Sequence, residues 1–356
     1  MEKEAGGAKG CSNMICPINC ILPPYMLEEI IRRGGPEHQE WAWRTLLTSE
    51  RIRGQRQVLG LMAPVASTPT GTKRRTIYDA RHTEMLPGRI VRSEGDKKSK
   101  DLAVNEAYDG AGATYDLYYK IFGRNSIDNR GMRLDSTVHY GRNYDNAFWN
   151  GRQMVYGDGD GKLFRRFTIA IDVIGHELTH GVTQYEAGLE YEGQSGALNE
   201  SMSDVFGSLV KQYKLRQTAE RADWLIGKGL LAPGVNGKSL RSMKEPGTAY
   251  DDDILGKDPQ PGHMRDYVET DEDNGGVHIN SGIPNRAFYE TAIRIGGSAW
   301  TKAGQIWYIT LRDRLRPNSE FKDAAELTAS VARELYGRGS REEKAVKKSW
   351  ATVGVK

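Results

Sequence analysis

Cysteine is scarce in this sequence. The three cysteines, Cys11, Cys16 and Cys20, all lie in the first 20 residues of the 356-residue chain. Whatever folds beyond them does so without disulfide bonds, so cysteine content does not identify the cellular compartment. Three thiolates are able to bind a metal ion, but we interpret the segment that carries them as an N-terminal tail.

Long apolar runs are also missing. No stretch approaches the roughly 18 apolar residues that are needed to cross a bilayer. Residues 1–4 lack the basic-then-apolar order of a secretory signal, and Asn13, Pro17 and Asn19 interrupt the apolar stretch that follows. The formal net charge is only +3 and no long basic run occurs. Neither nucleic acid nor a membrane surface is therefore an expected partner.

The chain divides into three sections of different composition. Residues 1–70 contain the cysteines, a Pro-Pro-Tyr sequence and two short helix-like patterns, and they end in a linker rich in small residues, proline and glycine. Residues 71–167 carry short β-branched and aromatic runs between Gly, Asn and Asp turns, with one helical patch. Helix patterns dominate residues 168–356. We predict an α+β protein with a β-rich lobe and a helical lobe, preceded by an appended segment on a cleavable connector.

The most informative motif is His-Glu-Leu-Thr-His at residues 176–180. On a helix, the spacing of four puts His176 and His180 on one face, one turn apart, where one ion can bind both imidazoles. Glu177 projects beside them and can reach a metal-bound water without being a ligand. Such a string also arises by chance, but its helical context favours a zinc site over coincidence.

A two-histidine site needs a third protein ligand and an open position for water. Glu200 lies on the next predicted helix, 20 residues after His180, and Asp204 follows one turn later on the same face. Asp204 is therefore well placed to accept the second ring N–H of a ligand histidine. Zinc with two histidines and a glutamate lowers the pKa of bound water to about 7, and Glu177 would take the proton of that water and pass it to the leaving amine.

These motifs closely resemble those of the thermolysin-like metallopeptidases, and within them the protealysin-like branch. The resemblance covers most of residues 76–356 and includes further specific motifs, at residues 146–151, 199–200, 240–243 and 273–282. The family implies a zinc endopeptidase with a two-lobe thermolysin-like fold. In that fold the zinc helix lies between a β-rich N-terminal lobe and a helical C-terminal lobe, at the base of a cleft.

The resemblance also implies individual roles. Tyr191 and His278 resemble the donors to the developing oxyanion, and Asp273 resembles the carboxylate that orients His278 and keeps it protonated. Taken singly, Tyr191 is more typical of a packed aromatic residue and His278 of a loop histidine. The joint match favours the catalytic interpretation.

The same resemblance implies which residues bind the substrate and which orient the zinc ligands. Arg241 resembles the residue that binds a substrate carbonyl, although a lone arginine is more often a surface ion pair. Asn146 and the backbone of Ala147 resemble the edge that holds a peptide extended. Asn199 joins Asp204 among the residues that orient the zinc ligands.

An apolar pocket for the residue after the scissile bond is also implied. Because all of its residues are apolar, we predict a preference for a bulky hydrophobic residue there, although without the family these residues would simply be assigned to the core. The residues are Phe164, Phe167, Val173, Ile226, Leu230 and Leu240.

The N-terminal Pro-Pro-Tyr sequence resembles the short propeptide of protealysin-like precursors. It implies an inhibitory segment that covers the cleft and is removed by self-cleavage between about residues 55 and 76. A cysteine thiolate that blocks the zinc is an alternative, but the family's short propeptides do not rely on one. We also expect a monomer that acts on proteins or peptides. The family resemblance predicts secretion, and the alternative is a cytoplasmic stage before non-classical export.

The sequence departs from thermolysin at the two calcium ions beside the active site. Asp172 and Asp223 remain, but Lys211, Leu225 and Lys228 stand where that pattern has acids, and Lys238 replaces a further calcium-site aspartate. We predict that the double calcium site is lost and that Lys211 and Lys228 neutralise the two aspartates instead. The alternative is that these lysines are exposed surface charges.

Two other function classes compete with the endopeptidase. A catalytically silent zinc-binding or interaction module has no need of Glu177, Tyr191 and His278. An aminopeptidase needs an acidic or amide cluster for the free amine of its substrate, and no such motif stands out near Asn146.

Overall fold

The structure, a computed structural model, describes residues 20–59 and 71–356, without the side chains of residue 50 and residues 52–59. Cys11, Cys16 and most of the predicted linker lie outside these residues. The N-terminal segment forms two helices, α1 (Pro24–Arg33) and α2 (Pro36–Leu59). Each begins with a proline, which suits the first turn of a helix because no N–H is needed there.

A five-stranded sheet forms the first part of the main body. Its strands are β1 (Arg75–Asp79), β2 (Arg89–Ser93), β3 (Leu134–Val138), β4 (Ala147–Trp149) and β5 (Met154–Tyr156), in the order β2-β1-β3-β5-β4. The three central strands β1, β3 and β5 run parallel, and the two outer strands run antiparallel to their neighbours. The carboxyl ends of the central strands therefore meet at one edge of the sheet.

One long helix, α3 (Leu102–Phe122), joins the sheet to the helical part. The Asp101 side chain caps its first turn by accepting from Ala103 N at 2.8 Å. Gly123, with φ +68°, ends it in the left-handed conformation that glycine adopts without strain.

The zinc-motif helix α4 (Ile171–Tyr185) packs closely on α5 (Gly193–Leu215). Gly207 makes this close approach possible, since a Cβ there would lie 2.4 Å from the backbone oxygen of Asp172. This close packing brings the face of α4 that carries His176 and His180 against the face of α5 that carries Glu200. It is therefore the packing feature that assembles the site.

Five further helices and two short hairpins complete the helical part. The hairpins pair β6 (Leu225–Ile226) with β7 (Arg241–Ser242) and β8 (Asp251–Asp252) with β9 (Gly256–Lys257). The helices are α6 (Asp273–Asn280), α7 (Gly282–Ile295), α8 (Lys302–Asp313), α9 (Phe321–Tyr336) and α10 (Arg341–Thr352). No helix within the two described ranges is long and apolar enough to span a membrane.

One large core runs through both parts of the body and includes the N-terminal segment. Ile21, Leu22, Met26, Leu27 and Ile30 are all buried in it. The predicted combination of strands followed by helices is confirmed. The elements that no sequence pattern predicts include β2, the three-residue strand β4, and α6.

Candidate active site

His176 and His180 lie one turn apart on α4 with their Nε2 atoms 3.0 Å apart, and both side chains are buried. Glu200 on α5 faces them, with its carboxylate oxygens 3.4 Å from each Nε2. One ligand atom from each of the three residues falls within 4.8 Å of the others. The side chains predicted as metal ligands are thus brought together.

Hydrogen bonds on the far side of both rings fix which nitrogens face the centre. His176 Nδ1 lies 2.8 Å from Asp204 Oδ1, and His180 Nδ1 lies 2.9 Å from Asn199 Oδ1. Both partners are acceptors. Asp204 offers a carboxylate oxygen, and Asn199 offers its amide oxygen because its amide N–H donates to Leu189 O. The Nδ1 atoms therefore carry protons, and both Nε2 atoms face the Glu200 carboxylate. Such a convergence of two ring nitrogens and a negative charge fits a divalent cation of the zinc class.

The pKa shifts at the centre reflect the same crowding of charge. Burial lowers the pKa of His180 to about 3 and keeps that ring neutral. Burial would also lower the pKa of His176, but the Asp204 and Glu200 carboxylates outweigh it and raise the value to about 9. A divalent cation held by the three ligands would take the place of that proton.

Glu177 is fully buried beside this centre and is not one of its ligands. Its Oε2 accepts from the backbone N–H of Trp149 on β4 at 3.1 Å, while its Oε1 has no hydrogen-bond partner among the described residues. Burial raises the pKa of Glu177 to about 8. A carboxylate with one free oxygen and a raised pKa is suited to accepting and returning a proton.

Tyr191, His278 and Asp273 form a second group against the centre. The Tyr191 hydroxyl donates to Glu200 Oε1 and lies 3.2 Å from His278 Nε2. His278 Nδ1 donates to Asp273 Oδ1 at 2.7 Å. Burial would lower the pKa of His278, but Asp273 and Glu200 outweigh it and hold the pKa above its ordinary value. The raised pKa favours the doubly protonated ring, which can donate from both nitrogens.

The irregular helix α6 makes this arrangement possible. Asn274, Gly275 and Gly276 adopt left-handed φ values between +52° and +78° inside it. The distortion lets Asp273 accept from both the backbone N–H and the ring of His278. Asp273 also has a positive φ, of +51°, so two of the four left-handed positions are glycines, which adopt such angles with little strain.

The start of the N-terminal segment, residues 20–22 before α1, lies across the site in an extended conformation. Cys20 pairs antiparallel with Phe148 of β4, and Ile21 N donates to Ala147 O at 3.3 Å. The Asn146 side chain accepts from Leu22 N at 3.0 Å and donates to Leu22 O at 3.3 Å. The edge predicted to hold a peptide thus holds residues 20–22.

Two predicted functional residues contact carbonyls of that segment. Arg241 on β7 donates from Nη1 to Ile21 O at 3.0 Å, and it also forms a two-point ion pair with Asp204. His278 Nε2 lies 3.2 Å from Cys20 O. Arg241 is 1% exposed and is therefore not the surface ion pair considered as an alternative.

The predicted apolar pocket residues Phe164, Phe167, Val173, Ile226, Leu230 and Leu240 are all buried in the main core. Ile226 of β6 pairs with Arg241, and Leu240 N donates to Ile226 O at 2.9 Å. Both residues are therefore next to the strand that contacts the N-terminal segment.

Lys211 occupies the region that the sequence comparison associates with calcium. Its Nζ lies 2.7 Å from Asp172 Oδ2, 2.9 Å from Asp223 Oδ1 and 2.6 Å from Leu225 O. Lys228 is 59% exposed and reaches Asp223 alone, at 3.4 Å. Both lysines therefore form ion pairs with these aspartates, and Lys211 is the one that bridges the two.

Several contacts at the site carry no sequence signal. Asn285 of α7 donates to Asp204 Oδ2 at 2.8 Å, and Ser203 Oγ lies 3.0 Å from His180 Nδ1. Gln260 donates to the His278 carbonyl oxygen at 2.7 Å. These residue types are common in any sequence, and only their meeting in space marks them.

Comparison with known proteins agrees with this geometry. The chain matches the family described as thermolysin metallopeptidase, catalytic domain, over residues 68–184, and the thermolysin metallopeptidase alpha-helical domain over residues 187–355. An extracellular metalloprotease of Pectobacterium carotovorum subsp. carotovorum is 55% identical over 95% of this chain and 97% of that protein. Protease PrtS of Photorhabdus sp. (strain Az29) is 49% identical over 94% of this chain and 92% of that protein.

A solved structure extends the similarity to the N-terminal segment. The precursor of protealysin, a metalloproteinase from Serratia proteamaculans, superposes with a TM-score of 0.88 at 54% identity, and the match covers 95% of this chain and 100% of that one. The predicted α+β two-lobe fold and the predicted enzyme class are thereby confirmed. The chain belongs to the thermolysin family of zinc metalloendopeptidases, in its protealysin-like branch, and is made as a precursor.

Proposed function

We propose that His176, His180 and Glu200 hold the catalytic zinc and that Glu177 is the general base. The observation that carries this assignment is the convergence of two Nε2 atoms and the Glu200 carboxylate beside a buried Glu177 oxygen that has no hydrogen-bond partner in the described structure. A zinc ion in this position supplies Lewis-acid activation of water and of the scissile carbonyl.

The protein's own groups then handle protons and charge. Glu177 accepts a proton from the attacking water through its free Oε1 and returns it to the leaving amine. His278 and Tyr191 donate hydrogen bonds to the carbonyl oxygen as it gains negative charge, and Asp273 keeps His278 protonated. His278 Nε2 already faces a carbonyl oxygen of the N-terminal segment, that of Cys20, whereas the Tyr191 hydroxyl would turn from Glu200 to the oxyanion.

The N-terminal segment supports a proposal about how substrate binds. Arg241 and His278 contact successive carbonyls of Ile21 and Cys20, while Asn146 and Ala147 bond to the same stretch as a neighbouring strand would. A peptide substrate that adopts this extended pose would meet the same donors and acceptors. Pocket residues next to Arg241, including Ile226 and Leu240, would favour a bulky hydrophobic residue after the scissile bond.

The same contacts make the N-terminal segment an intramolecular inhibitor in this proposal. Residues 1–70 would be the propeptide and its linker, residues 71–167 the β-rich lobe and residues 168–356 the helical lobe. Removal of the propeptide by self-cleavage would open the cleft to substrate. The extracellular metalloprotease names of the relatives support action outside the cell, and we propose that the enzyme works there as a monomer.

Replacement of calcium by Lys211 is the remaining part of the proposal. A single ammonium group in contact with Asp172 and Asp223 neutralises charge that a calcium ion would otherwise bind. On this view the protein needs zinc for activity but no calcium beside the zinc site for stability.

The test of the catalytic assignment is hydrolysis of casein and of a peptide blocked at both ends, with and without a zinc chelator. Glu177→Gln should abolish cleavage and self-processing while zinc content stays unchanged. Glu192, whose side chain is exposed, provides the matched control, because Glu192→Gln should leave both activities intact. Hydrolysis that survives the chelator or Glu177→Gln would refute the assignment.

The inhibitory contact has a separate test in the full-length chain. Ile21→Pro removes the N–H that donates to Ala147, so self-processing should start sooner and the unprocessed precursor should bind a cleft-directed inhibitor more readily. Ile21→Val keeps the N–H and should behave as the parent. Equal binding and equal lag times for the two variants would contradict the role given to this segment.

A further inference from the structure

A second cluster of metal-binding groups lies away from the zinc centre, at the carboxyl edge of the sheet. His82 follows β1, His139 follows β3 directly, and Asp158 follows β5. Because β1, β3 and β5 are adjacent parallel strands, their carboxyl ends lie side by side. The topology therefore collects two imidazoles and a carboxylate from three separate loops at one place.

The distances within the cluster suit ligands of one ion. His139 Nδ1 lies 2.9 Å from Asp158 Oδ2, and His82 Nδ1 lies 3.4 Å from the same oxygen. Neighbouring ligand atoms of a tetrahedral zinc ion, at bond lengths of about 2.0 Å, are roughly 3.3 Å apart. Little movement is needed to place the three atoms around a common centre.

Asp101 supplies the outer contact that a metal-binding histidine usually has. Its Oδ2 lies 2.7 Å from His139 Nε2, on the side of the ring away from Asp158. A carboxylate there accepts the Nε2 proton, so Nδ1, which bonds to Asp158 in this structure, is the nitrogen that would give up its proton to an incoming ion. Asp101 is itself held in place because its Oδ1 caps α3.

The backbone holds the two histidines together in an unfavourable conformation. His82 and His139 have φ values of +58° and +55°, in the left-handed region that residues other than glycine rarely adopt. A hydrogen bond of 2.8 Å from His82 N to His139 O and one of 3.0 Å from Gly141 N to Thr83 O tie the two loops to each other. The imidazoles are therefore preorganised, and preorganised groups of this kind cluster at functional sites.

The cluster is also open to solvent. The His82 side chain is 54% exposed, and His82 borders a cavity of about 410 Å3 that lies between α2 and the loop that follows β3. An ion can therefore enter without unfolding, and water can complete its coordination. Partial exposure implies weaker binding than at the buried zinc centre.

We propose that His82, His139 and Asp158 form a second binding site for a divalent transition metal of the zinc class. Nitrogen and carboxylate donors favour zinc, cobalt or nickel over calcium and magnesium, which prefer oxygen ligands. The ion would join the loop after β1 to the ends of β3 and β5. This site is independent of the catalytic assignment, because it shares no residue with it.

The test counts metal equivalents in the full-length precursor carrying Glu177→Gln, which prevents self-processing. The protein is stripped with a chelator and titrated with Co2+, with binding followed by calorimetry and by the visible spectrum. His82→Gln should bind one equivalent fewer than the Glu177→Gln parent and keep the tight equivalent. Any metal taken up by the N-terminal cysteines is common to both proteins, so the difference between them reports this site alone.

Two further variants complete the experiment. His263→Gln changes a histidine outside both clusters and should keep the parent stoichiometry. Asp158→Asn should lose the same equivalent as His82→Gln, and circular dichroism checks that each variant is folded. Because His82 is exposed, His82→Gln decides the outcome even if Asp158→Asn fails to fold. Equal stoichiometry and equal affinity for the parent, His82→Gln and His263→Gln would overturn the proposal.

Discussion

Lys211→Met tests the proposed replacement of calcium by lysine. The Lys211 side chain is 10% exposed and its ammonium group bonds to Asp172, which is 2% exposed, and to Asp223. Methionine fills similar space but leaves the Asp172 carboxylate buried without its cation. Loss of one partner of a buried pair costs about 3–5 kcal/mol, so we expect a decrease of about 3 kcal/mol in the free energy of unfolding.

Urea denaturation of the Glu177→Gln precursor measures this change without interference from proteolysis. Lys228→Met is the matched control, because Lys228 is 59% exposed and lies 3.4 Å from Asp223. An exposed pair contributes at most about 1 kcal/mol. Equal and small effects of the two substitutions would refute the reasoning.

Lys211→Glu extends the same test to calcium itself. It places a third carboxylate beside Asp172 and Asp223, where oxygen ligands bind calcium. We expect a protein that is less stable than the parent in a calcium chelator and that regains stability when calcium is added. A parent protein that gains as much stability from calcium as Lys211→Glu does would contradict the proposal.

Three other predictions follow from the described contacts. Glu177→Gln should remove self-processing while zinc analysis still finds the metal, because Glu177 is not a ligand. Asn285→Ala should weaken zinc affinity, measured by competition with a chelator, by less than the roughly 10–100-fold typical of a direct partner of a ligand, because Asn285 acts through Asp204 and Arg241 holds Asp204 as well. Burial raises the pKa of Asp223, but Lys211 outweighs it and holds the pKa below its ordinary value. The ion pair with Lys211 therefore stabilises the folded protein above about pH 4, and this contribution is lost as the pH falls through the lowered pKa of Asp223. In acid, the difference in the free energy of unfolding between the parent and Lys211→Met, measured from denaturation curves, should therefore become smaller.

Helices with strong periodicity were predictable from the sequence. The helix patterns that dominate residues 168–356 include those of α4 and α5. Helix α6 was not predictable, because its four left-handed residues interrupt any period of 3.6. Strand β4 was not predictable either, since three residues are too few to display an alternation and its pairing partner decides its conformation.

The N-terminal segment illustrates the same limit at the level of function. A propeptide was predictable only through its resemblance to known precursors. Its alignment against Asn146 and Ala147 depends on strand pairing across more than a hundred residues of chain. Local sequence carries no information about such a distant register, because the hydrogen-bonding groups of the backbone are the same at every residue.

The sequence by itself determined the ligand types and the pairing of His176 with His180, because a spacing of four on a helix is local geometry. The tertiary structure decided which distant groups complete the site. The packing of α4 on α5 brings in Glu200, and the distorted α6 brings His278 to Tyr191. The parallel order of β1, β3 and β5 likewise brings His82 to His139 and Asp158. Contacts of this kind depend on how whole elements pack, and no spacing along the chain encodes them.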